Sequence, residues 1–225
     1  MPRYEKAIYS IQWLGISIGR ATVRWQESST AYQMVFQFRT AGIVQMFDQY
    51  DLSAIVVGHV RQEGQSRHYT PIYYSYRKNK VQDMVETRIR YDSEGHIWQR
   101  SVAPPDNPLY RHPVSTDGQN DALDPITSLL AVLGGKTSFT IYDGRRLIEA
   151  IITPAPLPAE ETDTSRRAII LSRSPLEGHT LKELRAMERD RPVIAIMRPD
   201  TSRFPEEMQV ESRIGTIRAE RIYAP

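Results

Sequence analysis

The side chains that most often carry out acid–base or metal chemistry are present in this sequence, but they are scattered along it. No two of the 5 histidines stand two or four positions apart, the spacings that let a pair of imidazoles on one strand or helix hold the same metal ion. We therefore expect single histidines at the surface or in hydrogen bonds, and no metal site. The histidines are His59, His68, His96, His112 and His179.

An acidic segment before a predicted helix has a faint likeness to a calcium-binding loop. Residues 117–121 are Asp-Gly-Gln-Asn-Asp. However, Ala122 occupies the position where such a loop needs glycine, and Ser128 replaces its bidentate glutamate. We expect this segment to be a connection that leads to the helix cap at Asp124.

Compact catalytic motifs are absent from the sequence. It contains no Gly-x-Ser-x-Gly, no phosphate-binding glycine loop that ends in Lys-Ser or Lys-Thr, and no dinucleotide fingerprint. It also has no cysteine, which excludes thiol nucleophiles, Cys-ligated zinc and iron–sulfur clusters. We therefore expect no cofactor and favour a protein that is not an enzyme. The enzymatic alternative is a dispersed site near residues 103–124, in which His112 joins Asp117, Asp121 or Asp124.

The charge and hydropathy of the chain exclude several partners. With 29 basic and 27 acidic residues the formal net charge is +2, so bulk electrostatics predict no nucleic-acid partner. No apolar run approaches the roughly 20 residues that a membrane-spanning helix needs, so we expect no membrane span. The first residues lack an apolar signal core, which leaves either a cytoplasmic protein or the mature form of an exported one.

Alternation of apolar and polar residues predicts a β-rich protein. Tyr9, Ile11 and Trp13 alternate with polar neighbours, and the same period continues at 21–25 and 32–38. We expect about 10–14 strands, more than a flat sheet holds without curling or closing. Further strands are predicted at 45–60, 69–76, 81–91, 96–102, 137–142, 146–152, 167–172, 192–197, 208–214 and 216–222.

Two glycines in the first strands, Gly15 and Gly19, predict a bulge or a sharp bend. Such bends curl a sheet. The predicted fold is therefore mainly β: one domain over residues 1–225, in which a single curved antiparallel sheet forms a closed or partly open barrel, with one or two short helices.

The helices and connections also have sequence signals. Asp124, Pro125 and an apolar stripe that ends before Gly134 predict a helix with an aspartate cap, and the segment 180–189 predicts a second helix. Asp143-Gly144 predicts a hairpin turn, as does the segment 77–80. Two proline-rich segments, 103–123 and 153–165, predict long loops that cover a site or move at the surface.

Aromatic side chains are concentrated on the predicted concave side of the sheet. They either fill a core or line a cavity for an apolar ligand, and both interpretations remain open. The candidate ligand-lining residues are Trp13, Trp25, Phe36, Phe38, Tyr74 and Tyr76.

Short motifs along nearly the whole chain resemble a bacterial envelope family known only as domain of unknown function 3108. This resemblance implies an exported, periplasmic protein with a curved, barrel-like antiparallel sheet, and it supplies no catalytic residues. The motifs are Tyr-Ser-Ile-Gln-Trp-Leu-Gly-Ile-Ser-Ile-Gly-Arg-Ala-Thr at 9–22, Thr-Ala-Gly at 40–42, Pro-Ile-Tyr at 71–73, Asp-Pro-Ile-Thr-Ser-Leu at 124–129, Tyr-Asp-Gly-Arg-Arg at 142–146 and Gly-Thr-Ile-Arg-Ala-Glu at 215–220.

The aromatic concave side, the proline-rich loops and the resemblance together predict a periplasmic, non-enzymatic protein. We expect it to bind an apolar or amphipathic envelope component, such as a lipid, or a partner protein, within or at the edge of the sheet. A structural or assembly adaptor of the cell envelope is a further alternative. The sequence does not determine the ligand or the oligomeric state.

Overall fold

The computed structural model describes residues 2–42, 45, 49–64, 66–80, 83–120, 122–157, 166–189, 191–198, 202–212 and 215–222. Within these residues, thirteen strands form one sheet. The strands are β1 (Arg3–Trp13), β2 (Ile16–Glu27), β3 (Ala31–Thr40), β4 (Tyr50–Glu63), β5 (Ser66–Lys80), β6 (Asp83–Tyr91), β7 (Ile97–Ala103), β8 (Ser138–Tyr142), β9 (Leu147–Ala155), β10 (Arg167–Glu177), β11 (Val193–Met197), β12 (Glu207–Ser212) and β13 (Gly215–Ile222).

Each strand in the sheet pairs antiparallel with its neighbours, in the order β7-β6-β5-β4-β3-β2-β1-β13-β12-β11-β10-β9-β8. The predicted fold class, a mainly β protein with a single antiparallel sheet, is therefore confirmed. The sheet is not closed, because the edge strands β7 and β8 do not pair with each other. Of the two forms that were predicted, the structure shows the partly open one.

The predicted irregularity at Gly19 is present. The pairing of β1 with β2 shifts by one residue between Ile11 and Gln12, opposite this glycine, and such a bulge increases the bend and twist of a strand. A Cβ atom at Gly19 would lie 2.5 Å from Cε2 of Phe38. The glycine therefore allows the Phe38 ring to pack against the backbone of β2.

Three short helices that lie entirely within the described residues accompany the sheet: α1 (Thr116–Asn120), α2 (Pro125–Leu133) and α3 (Leu181–Met187). The predicted cap of α2 is present, since the Asp124 carboxylate accepts hydrogen bonds from the N–H groups of Ile126 and Thr127, each at 2.9 Å. The helix ends at Leu133, as predicted. The left-handed residue is Gly135, with φ of 90°.

The buried face of α2 differs from the predicted apolar stripe. Leu129 is 41% exposed, whereas Thr127 and Ser128 are buried together with Ile126 and Leu130. Both polar side chains on this face have hydrogen-bond partners. The Thr127 hydroxyl hydrogen bonds to Tyr32 of β3 at 2.8 Å, and the Ser128 hydroxyl donates to the Pro125 carbonyl within the helix at 2.8 Å.

Helix α2 occupies the middle of the concave side. It contacts β4, β5 and β8, and its residues Ile126 and Leu130 belong to the same buried cluster as Tyr9, Trp25 and Tyr74 of the sheet. Contacts to strands from both halves of the sheet show that the sheet curls around this helix. The interior is therefore filled at its centre.

Several local predictions were wrong or incomplete. Residues 77–80 do not form a turn, because they continue β5 and pair with residues 50–53 of β4. The strand predicted from residue 45 begins at Tyr50; Gln45 is helical, and 46–48 lie outside the described residues.

The two predicted long loops have different outcomes. The first, 103–123, contains α1 and ends in a short parallel bridge between Leu123 and Ile141 of β8. Of the second, 153–165, the residues 153–155 belong to β9 and 158–165 lie outside the described residues. In the part of the chain that is described, no helix has both the length and the apolar character needed to cross a bilayer.

Candidate functional site

A partly open cavity of about 560 Å³ lies on the concave side, at the N-terminal end of α2. Strands β3 to β6 form one wall, α2 closes the inner end, and the β8–β9 turn and α3 contribute charged side chains. The lining residues are Phe36, Leu52, Ala54, Tyr74, Tyr76, Lys78, Asp83, Val85, Thr87, Pro104, Arg111, Pro125, Ile126, Asp143, Arg145, Arg146 and Glu183. We call this the first cavity.

Three of the predicted aromatic residues form the floor of the first cavity. Phe36 of β3 pairs with Ala54 of β4, and Ala54 pairs with Tyr76 of β5. The rings of Phe36 and Tyr76 therefore lie on the same side of the sheet, and only the small Ala54 side chain of β4 lies between them. Tyr74 lies two residues further along β5 and is buried. The floor is therefore a continuous apolar surface interrupted only by tyrosine hydroxyl groups.

The hydroxyl groups of the floor are protonated at neutral pH. Burial raises the pKa of Tyr74 well above its usual value, and the nearby Asp124 adds to the shift. Burial, followed by the neighbouring Tyr50, also raises the pKa of Tyr76. The floor therefore carries neutral hydroxyl groups rather than negative charge.

The rim of the first cavity carries both signs of charge. Lys78 lies over the ring of Tyr50, with its ammonium 5.2 Å from the ring centroid. Arg146 pairs with Asp143, with Nη2 2.6 Å from Oδ2. Since the lining includes both cations (Lys78, Arg111, Arg145, Arg146) and carboxylates (Asp83, Asp143, Glu183), the entrance is polar but close to electrically balanced.

A network of ion pairs closes the gap that the open sheet leaves between β7 and β8. Asp106, which follows β7, forms ion pairs with Arg100 of β7, with Arg145 of the β8–β9 turn and with Arg111. The Arg100 guanidinium also donates a hydrogen bond to the carbonyl of Gly144. We call Arg100, Asp106, Arg111 and Arg145 the seam network. Side chains, rather than backbone hydrogen bonds, thus join the two edges beside the first cavity.

Glu183 of α3 extends the seam network to the rim. Arg111 donates to it at 2.8 Å, and the backbone N–H and hydroxyl group of Thr180 donate to it in a capping box. Burial disfavours the charged form of Glu183, but these hydrogen bonds outweigh burial and lower its pKa to about 2. The carboxylate is therefore ionised and held in place by its partners.

The other predicted aromatic residues lie elsewhere on the concave side and do not line the first cavity. Trp25 is buried in the core beneath Arg203, whose guanidinium carbon is 4.3 Å from the ring centroid. Phe38 packs edge-on against Tyr50, with a centroid distance of 5.6 Å. Trp13 is the last residue of β1, opposite Ile217. The role of all six aromatic residues as ligand contacts stays a prediction.

The residues of the enzymatic alternative are not gathered into one site. His112 and Asp117 are exposed, Asp124 is fully buried and caps α2, and no hydrogen bond or ion pair joins these three described residues. Asp121 lies outside the described residues. Across the described ranges, no group of three or more His, Asp or Glu side chains is arranged to hold a metal ion.

The buried carboxyl group of Asp124 has an unusual environment. Its Oδ1 accepts two backbone N–H groups, but Oδ2 has no hydrogen-bond partner among the described residues. Burial raises its pKa to about 6, although the hydrogen bonds oppose the shift. Protonation of Asp124 should therefore affect the stability of α2. The buried group is not an exposed catalytic acid.

Sequence reasoning missed the charged rim. The hairpin turn at Asp143-Gly144 was predicted correctly, since Asp143 Oδ1 accepts the N–H groups of Arg145 and Arg146 across the turn. The pattern did not show that both guanidinium groups turn inward, one to Asp106 and the other to Asp143 and Glu183. Asp143 is only three residues from Arg146, but Asp106 and Glu183 lie far away in sequence, so no local signal identifies those two partners.

Comparison with known proteins gives a family match and one fold similarity. A family model described as "Protein of unknown function (DUF3108)" matches residues 8–221. The chain is similar to the crystal structure of a beta-barrel-like protein of domain of unknown function DUF1849 from Brucella abortus, with 10% sequence identity, a TM-score of 0.49, and coverage of 97% of this chain and 95% of that chain. No curated protein matches the chain.

Proposed function

Because the chain belongs to the DUF3108 family, whose function is not known, we propose a function from the geometry of the first cavity: the protein binds an amphipathic molecule of the cell envelope there, without chemical conversion. The apolar part of the ligand lies on the floor of Phe36, Tyr74 and Tyr76, and its polar part faces the rim at Lys78 and Arg146.

The observation that carries this proposal is the juxtaposition of the aromatic floor and the charged rim in one partly open cavity. Small-molecule sites are mostly apolar concavities in which a few polar groups fix the orientation of the ligand. The first cavity shares the apolar floor of such sites, but its rim carries more charged residues. Its volume of about 560 Å³ lies within the range of roughly 300–1,000 Å³ that is common for such sites.

The filled centre of the sheet limits the ligand. Since α2 occupies the middle of the concave side, the ligand does not pass through a central channel. We propose a single small amphiphile that enters from the rim and stops against Pro125 and Ile126 at the start of α2.

The envelope location is part of the proposal and rests on the resemblance seen in the sequence. It is tested by fractionation of the source cells with an antibody against the protein. We expect the protein in the periplasmic fraction, together with a periplasmic marker. Recovery with a cytoplasmic marker would contradict this part of the proposal and leave the binding site to be tested separately.

The binding site is tested by titration with the uncharged fluorescent probe N-phenyl-1-naphthylamine. The variant Leu52→Trp enlarges a side chain at the wall of the first cavity and should abolish saturable binding. Tyr76→Ala removes part of the floor and should weaken binding by about tenfold, because a buried aromatic contact contributes on the order of 1–2 kcal/mol.

The matched control is Tyr73→Ala. Tyr73 is on the same strand as Tyr76 but is not among the residues that line the first cavity, so this variant should bind the probe with unchanged affinity. If Leu52→Trp binds as well as the wild type, or if Tyr73→Ala and Tyr76→Ala weaken binding equally, the first cavity is not the site.

A further inference from the structure

A second cavity lies at the opposite end of α2. Its volume is about 680 Å³, and it is lined by residues 132–137 at and beyond the C-terminal end of the helix, whereas the first cavity is lined by Pro125 and Ile126 at the N-terminal end. The helix therefore separates two cavities on the concave side. A ligand of one does not reach the other through the interior.

One wall of the second cavity is apolar. It is formed by Leu133 at the end of α2 and by side chains of three adjacent strands: Ile152 of β9, Ile169 of β10 and Met197 of β11. Leu133 packs against the main core. An apolar group that entered this cavity would thus contact a surface continuous with the core.

The remaining lining is cationic. Five basic side chains and no carboxylate line the second cavity among the described residues; the basic residues are Arg3, Arg67, Lys136, Arg167 and Arg203. This composition differs from the first cavity, where arginines and carboxylates are paired.

Two of the five cations, Arg67 and Arg203, are held in place by buried side chains beside the cavity. The buried Glu27 accepts hydrogen bonds from Arg67 and from the Tyr69 hydroxyl, the latter at 2.9 Å, and lies 3.5 Å from Arg203. The Arg203 guanidinium also stacks over Trp25. Glu27 neutralises part of this pair, and the stacking and hydrogen bonds fix the orientation of both guanidinium groups.

The other three cations, Arg3, Lys136 and Arg167, form an exposed rim. None of them makes a side-chain hydrogen bond or an ion pair with any residue in the described part of the chain. Among the described residues, the negative groups near the cavity besides Glu27 include Glu5, which accepts from Ser202, and the carbonyl end of α2. These groups do not balance the five cations, so within the described part of the chain the rim has an excess of positive charge.

We propose that the second cavity is a binding site for a small anionic amphiphile, a molecule in which a phosphate, carboxylate or sulfate is joined to an apolar group. The anionic group lies among Arg3, Lys136 and Arg167, and the apolar group lies against Leu133, Ile169 and their neighbours. This site is separate from the one in the proposed function and does not depend on it.

Both parts of the ligand are required by the geometry. Exposed cations bind a lone inorganic anion weakly, because water and salt screen the attraction. The apolar wall adds binding that does not depend on salt. A ligand that uses both should therefore bind more tightly than either half alone.

The test compares three probes by isothermal titration calorimetry below their micelle concentrations: decyl phosphate, decyl maltoside and inorganic phosphate. Decyl phosphate should bind at least about tenfold more tightly than the other two, and its affinity should fall as the salt concentration rises. Equal affinity for decyl phosphate and decyl maltoside would overturn the proposal, as would binding of inorganic phosphate as tightly as decyl phosphate.

The site is located by the variant Lys136→Gln/Arg167→Gln, which should weaken decyl phosphate binding by about tenfold, since two exposed charge-assisted contacts together contribute roughly that factor. Lys6→Gln/Arg20→Gln removes the same charge at two exposed positions, each next to a residue that faces the core, and should bind as the wild type does. If the two double variants weaken binding equally, the effect is one of net charge and the proposal fails.

Two further variants distinguish binding in the second cavity from binding in the first. Leu52→Trp blocks the first cavity and should leave decyl phosphate binding unchanged; a loss would assign the binding to the first cavity instead. The β9–β10 connection carries Glu160, Glu161 and Asp163, which lie outside the described residues. Replacement of these three by Gln, Gln and Asn should keep or raise the affinity, and a loss would contradict an anion site.

Discussion

Tyr32 of β3 and Thr127 of α2 form a hydrogen bond of 2.8 Å between their hydroxyl groups in the centre of the molecule. Both residues are buried, and they are 95 positions apart in the sequence. This contact joins the sheet to the helix that fills its concave side. It explains why a polar residue occupies the buried face of α2.

Removal of the Thr127 hydroxyl should leave the buried Tyr32 hydroxyl without a partner, and removal of the Tyr32 hydroxyl leaves Thr127 with Asp124 alone. We expect Tyr32→Phe and Thr127→Val each to lower the free energy of unfolding by about 1–2 kcal/mol. The double variant should lose less than the sum of the two, because neither hydroxyl then remains unsatisfied. Urea denaturation of the four proteins measures this. Strict additivity would show that the two hydroxyl groups do not interact.

Asp124 should make the stability of the protein fall as the pH rises. Its pKa is about 6 in the folded protein and 3.8 in a model carboxyl group, so between these values the folded protein binds a proton that the unfolded chain has released. The contribution of Asp124 to the free energy of unfolding therefore decreases from pH 4 to pH 6, by about 3 kcal/mol in total for this shift.

Asp124→Asn keeps an oxygen that caps α2 but removes the titration. The stability of the wild type minus that of Asp124→Asn should decrease between pH 4 and pH 6 and then level off. Asp92 provides the opposite case, because hydrogen bonds from the backbone of His96 and Glu94 lower its pKa. The corresponding difference for Asp92→Asn should increase as the pH rises. A flat profile for Asp124→Asn would contradict the buried carboxyl group.

The seam network should be necessary for the two edges of the sheet to stay together. The Asp106 side chain is 20% exposed and pairs with three arginines. Asp106→Asn leaves Arg100 and Arg145 without a counter-ion among the described residues and leaves Arg111 with Glu183 alone, so it should cost about 2 kcal/mol. Hydrogen exchange should become faster in β7 and β8.

A matched exposed pair serves as the control for the seam. Arg39 and Asp51 lie 3.3 Å apart with more than half of each side chain exposed, and Asp51→Asn should change stability by less than about 0.5 kcal/mol. If Asp51→Asn and Asp106→Asn have the same effect, the ion pairs between β7 and the β8–β9 turn do not hold the edges together.

The turn between β8 and β9 fits closely against β6. Gly144 has φ of 94°, and a Cβ atom there would overlap Cγ2 of Thr87. Gly144→Ala should therefore destabilise the protein by about 2–3 kcal/mol, through backbone strain and the methyl clash together.

Two variants separate strain from clash. Gly64→Ala, where φ is 62° and no atom lies within 4 Å, should cost only about 1 kcal/mol. Thr87→Ser removes the methyl group that clashes, so Gly144→Ala/Thr87→Ser should recover about 1 kcal/mol relative to the value expected from additivity. Without this recovery, the turn does not contact Thr87 as the structure shows.

The sequence was a good guide to the strands because alternation is a local property. Tyr32, Met34 and Phe36 recur at every second position of β3, and the concave side follows from this pattern. The end of β5 was missed because residues 77–80 are charged and amide side chains that extend beyond the core. Only their pairing with β4 and β6 makes them a strand.

The functional features were harder to predict because they depend on contacts between distant parts of the chain. The pattern placed Leu129 on the buried side of α2, but the position of the helix inside the sheet exposes it and buries Thr127 instead. Similarly, Asp106 becomes the centre of the seam network only after β7 and β8 approach each other.

The proposed function is tested most directly by what the protein carries from its own cells. Wild-type protein and the Leu52→Trp variant are purified in parallel from the natural host without detergent, extracted with organic solvent, and analysed by mass spectrometry. We predict an amphipathic molecule in near-stoichiometric amount from the wild type and its loss from Leu52→Trp. No bound molecule in the wild type, or the same molecule in equal amount from both proteins, would contradict a ligand in the first cavity.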